Sequence, residues 1–514
     1  MIRSASLTRN VFSNWFVLGA SVAYSLLITP TVVRALDLEQ YGVWSFLNGL
    51  LSYSELLYMG LGSALVRSVA QHRASGDLAG INRVVSVVAT IYGVIGAICF
   101  GALSGASAYV PHVFAEPLSG VAAQAASTTC VLLGLQLFFV FVGSAFSGLL
   151  AGHDRYDLVN AVYSVGILIR LVAVPILVRP GHDPLRTLAF VMAATTVLGT
   201  VLLVGLAFWH LPQLSIRVTR AKLHELRFLY SFGLQSFFIV FAVKLISYTD
   251  TTVIGITLGA ASVALYVLPL QLVEYSRAFV GGFAGVFLPR LTVLATKGDM
   301  AAIRDAYLST TRFSCFLSGW LAGGLIWLGP LFINRWVGQQ FGTPVQSVVV
   351  FLAIASLGQV LSSQAPFAFY QALNLVAFPA IVLMGEALAN LGLSVWLAPR
   401  LGIAGVALAT VIPAVLMSLV ILPPYLCRQL EIPVWTFIRS AVLPGGLVLA
   451  ATLFTGWLAS FVIAAESYTG ILGRVLSTLP TAVVVFWATF PRDQTEAVLR
   501  TLRLSSSRSR GAGV

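Results

Sequence analysis

Fourteen apolar runs, almost all longer than twenty residues and parted by short polar breaks, fill this chain. They lie near residues 12–34, 42–66, 84–108, 122–150, 158–178, 187–209, 229–257, 263–288, 307–333, 346–371, 376–398, 403–427, 441–463 and 475–490. A helix needs about 20 predominantly apolar residues to cross the hydrocarbon core of a bilayer. Of the 514 residues 58% are apolar and only 9% charged, whereas soluble domains carry about 25% charged residues. A water-soluble fold is thereby excluded. The expected class is an all-α polytopic membrane protein with about 14 transmembrane helices.

The net charge of +12 does not call for nucleic acid, because its placement has another explanation. With the N-terminus inside, 21 of the 30 Lys and Arg fall in the breaks on that side and 6 in those on the other. By the positive-inside rule this bias sets orientation, with both termini cytoplasmic. The first run follows Arg3 and Arg9 like a signal peptide, but no small-residue cleavage site follows it, so it reads as a retained span. Cys99, Cys130, Cys315 and Cys427 form no Cys-x-x-Cys pair, which points to neither disulfide framework nor metal site. No Walker-type phosphate loop is present. His153 and Asp157, one turn apart in "GHDRYD", are the only catalytic pair the spacing suggests, and a solvated loop is the plainer reading. No cofactor is expected.

One passage is written twice. Residues 52–77 read "SYSELLYMGLGSALVRSVAQHRASGD" and residues 274–299 read "EYSRAFVGGFAGVFLPRLTVLATKGD". Tyr53/Tyr275, Ser54/Ser276, Gly60/Gly282, Gly76/Gly298 and Asp77/Asp299 coincide at an offset of 222. "DLAGI" after the first copy faces "DMAAI" after the second, and Arg170 pairs with Asn390 at an offset of 220. The copies are six runs apart, an even step, so both lie the same way up, as in transporters built from parallel repeats. Chance likeness between apolar helices is the alternative, and the equal spacing and parity weigh against it. The layout that follows has two six-helix lobes, 1–210 and 229–428, joined by a basic connector at 211–228. Helices thirteen and fourteen occupy 429–490, and a cytoplasmic disordered tail 491–514.

At residues 29–77, "TPTVVRALDLEQYGVWSFLNGLLSYSELLYMGLGSALVRSVAQHRASGD", the chain resembles the polysaccharide-export flippases of the multidrug/oligosaccharidyl-lipid/polysaccharide superfamily. Leu36-Asp37 stands where Leu-Gly is usual, a change a turn tolerates. The resemblance implies a two-lobed, V-shaped transporter of twelve core helices, often with two more. It also implies flipping of polyprenyl-diphosphate-linked oligosaccharide, a polysaccharide repeat unit, from the cytoplasmic to the outer leaflet of a bacterial inner membrane. Polysaccharide polymerase and glycosyltransferases would be its functional partners. A drug/cation antiporter of the same superfamily and a membrane polysaccharide polymerase remain the alternatives; the outer breaks, about a dozen residues at most, leave little room for a polymerase's catalytic loop.

Seven charges lie inside spans: Glu55, Arg170, Lys244, Asp250, Glu274, Arg277 and Glu386. Each costs about 2.5–3.5 kcal/mol at the bilayer centre on insertion scales, so each needs a reason. A diphosphate headgroup needs cationic donors, for which Lys244 and Arg277 are the first candidates and Arg170 the third. Tyr53 and Tyr275 are deep enough to stack on sugars, as are Tyr248 and Tyr266. Glu55, Asp250, Glu274 and Glu386 are candidates for ion coupling. The structural alternative pairs Glu274 with Arg277, one turn away. Lys244 and Asp250, about 120° apart on their helix, would then find partners on other helices. Arg67 and Arg312 are expected to snorkel to the cytoplasmic interface.

Overall fold

The computed structural model describes residues 4–58, 61–217, 223–285, 288–338, 342–364, 366–464 and 467–491. The connector at 211–228 is therefore described only in part, and the tail beyond residue 491 lies outside the described residues. Every regular element among them is helical. In the first half the α-helices are α1 (Ser4–Ala35), α2 (Leu38–Ser52), α3 (Leu61–Ser75), α4 (Leu78–Ala106), α5 (Gly120–Gly152), α6 (Tyr156–Leu177) and α7 (Pro184–His210). After them come α8 (Leu223–Leu258), α9 (Ala260–Gly285), α10 (Leu288–Lys297), α11 (Met300–Trp336), α12 (Gly342–Gln359), α13 (Phe367–Ala372) and α14 (Ala377–Val415). The last are α15 (Leu422–Gln429), α16 (Val434–Phe437), α17 (Leu443–Ser460) and α18 (Tyr468–Thr489).

Eleven helical segments among the described residues are long and apolar enough to cross a membrane. The difference from fourteen runs arises at three places. The helix α1 is outside the eleven, and the second run is not one helix: α2 tightens into a 3-10 turn over Tyr53–Tyr58 before α3 begins. The run at 376–398 and the first half of that at 403–427 join as α14, whose 39 residues would extend about 58 Å if straight, roughly twice the hydrocarbon thickness. Gly402, at φ 61 and ψ −148, kinks it between the two runs.

The written repeat is also a repeat of backbone geometry. Gly76 (φ 71) and Gly298 (φ 69) both adopt the left-handed conformation that ends a helix. Around the first, Gly76 N–H bonds Arg73 O and Asp77 N–H bonds His72 O; around the second, Gly298 N–H bonds Ala295 O and Asp299 N–H bonds Leu294 O. Asp77 then caps α4 by accepting from the Gly80 amide at 2.8 Å, and Asp299 caps α11 by accepting from the Ala302 amide at 3.0 Å. A second turn repeats at the offset of 220. Asp154 (φ 59) and Asn374 (φ 57) are both left-handed, and Arg155 N–H→Leu150 O is matched by Leu375 N–H→Tyr370 O.

By contacts the chain forms two compact units, Met1–Leu268 with Val376–Ala409, and Pro269–Leu375 with Thr410–Val514. In the first unit Leu65, Val69, Val85, Tyr92, Phe141 and Leu149 lie in the centre of the core. Gly148 and Gly152 of α5 let α3 come close, since a Cβ on either would stand within 2.7 Å of Leu65 or Val69. In the second unit α11 meets α17 at Gly319 and Gly445; a Cβ on Gly319 would lie 2.2 Å from the Gly445 carbonyl oxygen. Close glycine-mediated packing replaces the hydrophobic effect as the force between helices in lipid. Arg312, only 8% exposed, donates to the Ser440 carbonyl and lies over the Phe490 ring at 5.8 Å. Of the tryptophans near span ends, Trp209 and Trp435 are exposed, whereas Trp336 is buried against Phe332.

Two outcomes follow from the repeated turn. Gly76→Ala and Gly298→Ala each force an L-residue into the left-handed region and are expected to cost alike, about 1–2 kcal/mol, read as matched losses of thermal stability. The Asp77 carboxyl is held below its ordinary 3.8, chiefly by the Gly80 amide and then by neighbouring His72 and Arg83. Its cap therefore stabilises fully above that pH and fades as pH falls through the lowered value; acid melts of Asp77→Asn should lack this fading.

Candidate functional site

The second span breaks because its sequence favours local bonding over a continuous ladder. Asn48 donates to Trp44 O at 2.8 Å, Ser52 donates to Asn48 O at 3.0 Å, and the Tyr53 amide reaches both Leu50 O and Leu51 O. In the 3-10 turn that follows, residues three apart share a face, which sets Glu55 and Tyr58 on one side. Non-helical backbone at membrane depth is tolerated where protein or a polar cavity receives it. Here the receiving surface is α8. Gly49 of α2 and Gly255 of α8 have no room for a Cβ beside Thr251 and Phe46 respectively, and Gly42 lies against the Ala260 carbonyl.

That approach assembles a compact polar cluster within the first unit. Lys244 Nζ of α8 stands 2.6 Å from Glu55 Oε2 and 5.2 Å from the centre of the Tyr248 ring. Tyr248 meets Tyr53 edge to face at 6.1 Å, and the Tyr53 hydroxyl is 3.2 Å from Thr249 Oγ1. The pair is lopsided: the Lys244 side chain is 17% exposed and that of Glu55 57%. The carboxylate is thus the replaceable partner. Lys244 and Tyr53 come together as a cation beside aromatics; Glu55 joins them as the acid that neutralises the cation.

Two turns along α8, Asp250 is 3% exposed. It accepts from the Tyr266 hydroxyl at 2.5 Å and from Ser394 Oγ at 3.3 Å. Ser394 completes a one-turn spacing along α14 with Glu386 and Asn390, which are 2% and 1% exposed. Two carboxylates, Asp250 and Glu386, are thus sunk in one unit. Tyr266 had a signal in its depth, but its pairing with Asp250 did not. The Glu386–Asn390–Ser394 spacing was legible and went unread.

Arg170 occupies a different place in the same unit. Its Nε donates to Thr195 Oγ1 at 2.7 Å and its Nη2 to Thr196 Oγ1 at 3.1 Å. It lines a cavity of about 440 Å³ walled by α1, α5, α6 and α7. In the second unit, Arg277 donates to Glu274 on its own helix; the arginine side chain is 14% exposed and the glutamate 42%. The buried Arg277 Nε has no hydrogen-bond partner among the described residues. Tyr275 is half-buried on the same helix. The pair His153 and Asp157 does not form a dyad: His153 Nδ1 lies 3.0 Å from Leu149 O, and Asp157 holds Arg155 at 3.0 Å.

A many-span helical protein with paired charges inside its spans belongs to the class of multi-pass membrane proteins. Residues 7–294 match the model of the polysaccharide biosynthesis protein family, and the chain belongs to that family. A relative described as the uncharacterized membrane protein EpsK of Bacillus subtilis (strain 168) is 24% identical over 505 residues, covering 96% of this chain and 98% of its own. Among solved structures, an inward-facing multidrug resistance MATE family transporter of the MOP superfamily superposes with a TM-score of 0.67 at 15% identity, over 79% of this chain and 94% of that one. The lipid II flippase MurJ, in an inward closed conformation, superposes at 0.64 and 13% identity over 93% and 97%. These structures establish a shared fold.

If Lys244 and Glu55 act as a pair, exchanging them is gentler than breaking them. Lys244→Glu alone should lower the melting temperature of purified protein, and Lys244→Glu with Glu55→Lys should recover most of the loss. Additive losses in the double variant would show that the pair carries no coupling.

Proposed function

We propose that the protein flips a polyprenyl-diphosphate-linked oligosaccharide, the repeat unit of a polysaccharide, from the cytoplasmic to the outer leaflet of a bacterial inner membrane. The observation that carries this reading is the Lys244–Glu55 pair on the broken second span, a cation whose acidic partner is the exposed member. The Arg277–Glu274 pair of the second unit has the same form. The family's place in polysaccharide biosynthesis and a fold shared with a lipid II flippase support the choice of cargo.

The mechanism is an exchange of partners. Without cargo, each cation is neutralised by its carboxylate, so the protein can change conformation without carrying bare charge through hydrocarbon. An arriving diphosphate offers phosphate oxygens, to which Arg binds bidentately and Lys as a point charge. Displaced from the cations, Glu55 and Glu274 then face the cost of an isolated carboxylate, which protonation or a bound cation relieves. This ties cargo to an ion gradient. The buried carboxylates Asp250 and Glu386 provide the second half of that coupling, taking up the ion in the state that returns empty. Tyr53 and Tyr275 present aromatic faces for the first sugars, and the lipid tail stays in the bilayer. Both six-helix lobes, 1–210 and 229–428, take part, with termini cytoplasmic. Polymerase and glycosyltransferases consume and supply the cargo on either side.

The test is translocation of a fluorescent polyprenyl-diphosphate oligosaccharide by purified protein in liposomes, read by bleaching of the outer leaflet. Lys244→Gln or Arg277→Gln should slow it about tenfold or more, the value of one charge-assisted contact. Asp250→Asn should remove its dependence on an imposed proton or sodium gradient. Full activity of both cation variants, or export of organic cations in place of the lipid, would overturn the reading in favour of an antiporter; bond formation between glycans would favour a polymerase.

A further inference from the structure

The surroundings of Arg170 set it apart from Lys244 and Arg277, the other two cations inside the spans. Lys244 and Arg277 each have a carboxylate; Arg170 bonds two threonine hydroxyls and has no acidic partner among the described residues. None of the residues lining the cavity is Asp or Glu, and Arg170 is its one cation. A guanidinium has five N–H donors, of which Nε and Nη2 are engaged; Nη1 has no partner among the described residues. The walls are otherwise neutral and polar, with Ser21, Gln136, Ser144, Thr195 and Thr196 among apolar side chains. The buried Oε1 of Gln136 accepts no hydrogen bond from the described residues. A buried charge without a counter-charge is costly, and here an acceptor and a cation both look for a partner in the same space.

Position in the repeat sharpens the contrast. At the offset of 220, Arg170 of α6 corresponds to Asn390 of α14, and Gly166 to Glu386. The acidic copy buries Glu386 with Asn390 one turn along the same helix. The copy containing Arg170 reverses that polarity, and Gly166 leaves open the volume that a glutamate fills in the other copy. The cavity also adjoins the headgroup cluster: Ser144 in its wall is 3.2 Å from the Tyr58 hydroxyl, which shares a face of the 3-10 turn with Glu55.

We propose that this cavity is a subsite for an acidic sugar, a pyranose ring bearing one carboxylate, carried by the glycan that the protein flips. The inference rests on the flippase reading and deepens it by naming a class of cargo. A volume of about 440 Å³ is of the size that takes small ligands, and the hydroxyl and amide lining suits ring hydroxyls. One cation without a second fits a monoanion; a diphosphate recruits several donors. The carboxylate takes the free edge of the Arg170 guanidinium, and a ring hydroxyl donates to Gln136 Oε1.

The test titrates methyl β-D-glucuronide, methyl β-D-glucoside and inorganic phosphate into the purified full-length protein in lipid nanodiscs, by calorimetry. The glucuronide should bind saturably, and both the glucoside and phosphate at least about tenfold more weakly, the scale of one charge-assisted hydrogen bond. Arg170→Gln should erase the preference for the glucuronide. Gly166→Leu, whose side chain enters open space, should block binding while leaving the arginine in place, and serves if the arginine variant fails to fold. Equal binding of the glucoside, equal binding of phosphate, or undiminished binding by Gly166→Leu would each overturn the subsite. Liposomes loaded with polyprenyl-diphosphate carrying glucuronate or glucose separate the two readings. Glucuronide binding without movement of either lipid would sink the flippase alone. Movement of both lipids at one rate, without glucuronide binding, would sink the subsite alone.

Discussion

Hydrocarbon supplies no partner to an ion or a peptide group, and an unpaired one costs several kcal/mol there. The interior of this protein is arranged around that cost. Lys244 has Glu55, Arg277 has Glu274, and Asp250 has the hydroxyls of Tyr266 and Ser394. Even the broken stretch Tyr53–Tyr58 has a neighbour in α8, brought close through Gly49 and Gly255. These pairings are of two kinds. Asp250 and its partners are sunk in the protein, whereas Glu55 and Glu274 are the exposed halves of pairs whose cations are buried.

The duplicated passage shows which features of a helix pair are bound to backbone geometry and which are free to change. Both copies keep the left-handed glycine and the aspartate cap, since a helix that stops and restarts within two residues needs a backbone without a Cβ and an acceptor for the first amides. Asp154 and Asn374 share another such turn with different side chains, both being types that tolerate the left-handed region. Charge diverged around this common frame. Glu55 stands at the position of Arg277, and Arg170 at that of Asn390. One duplicated scaffold thereby carries acidic and basic side chains at related places.

Length and hydropathy of the runs were enough to specify an all-helical membrane protein, because spanning a bilayer sets a minimum of apolar residues that few other folds require. Local chemistry was legible too: Gly-Asp announced a stop and a cap, and Glu274–Arg277 announced a pair one turn apart. The partners of Arg312 were not legible, because the Ser440 carbonyl and the Phe490 ring that receive it lie more than a hundred residues away. The break after Ser52 was hidden for a related reason, since the run remains apolar through it and only the hydrogen bonds of Asn48, Ser52 and Tyr53 reveal it.

By itself, then, the sequence determined the class, the orientation bias and the list of charges that need explaining, all of which depend on composition and on spacing along one helix. Apart from Glu274 and Arg277, which share one helix, tertiary structure alone decided who answers each charge. That Glu55 belongs to Lys244, that Asp250 takes Tyr266 and Ser394, and that Arg170 is left facing neutral walls are consequences of which helix faces meet. Those meetings are set by small residues and packing across distant segments, and nothing in the local order of residues records them.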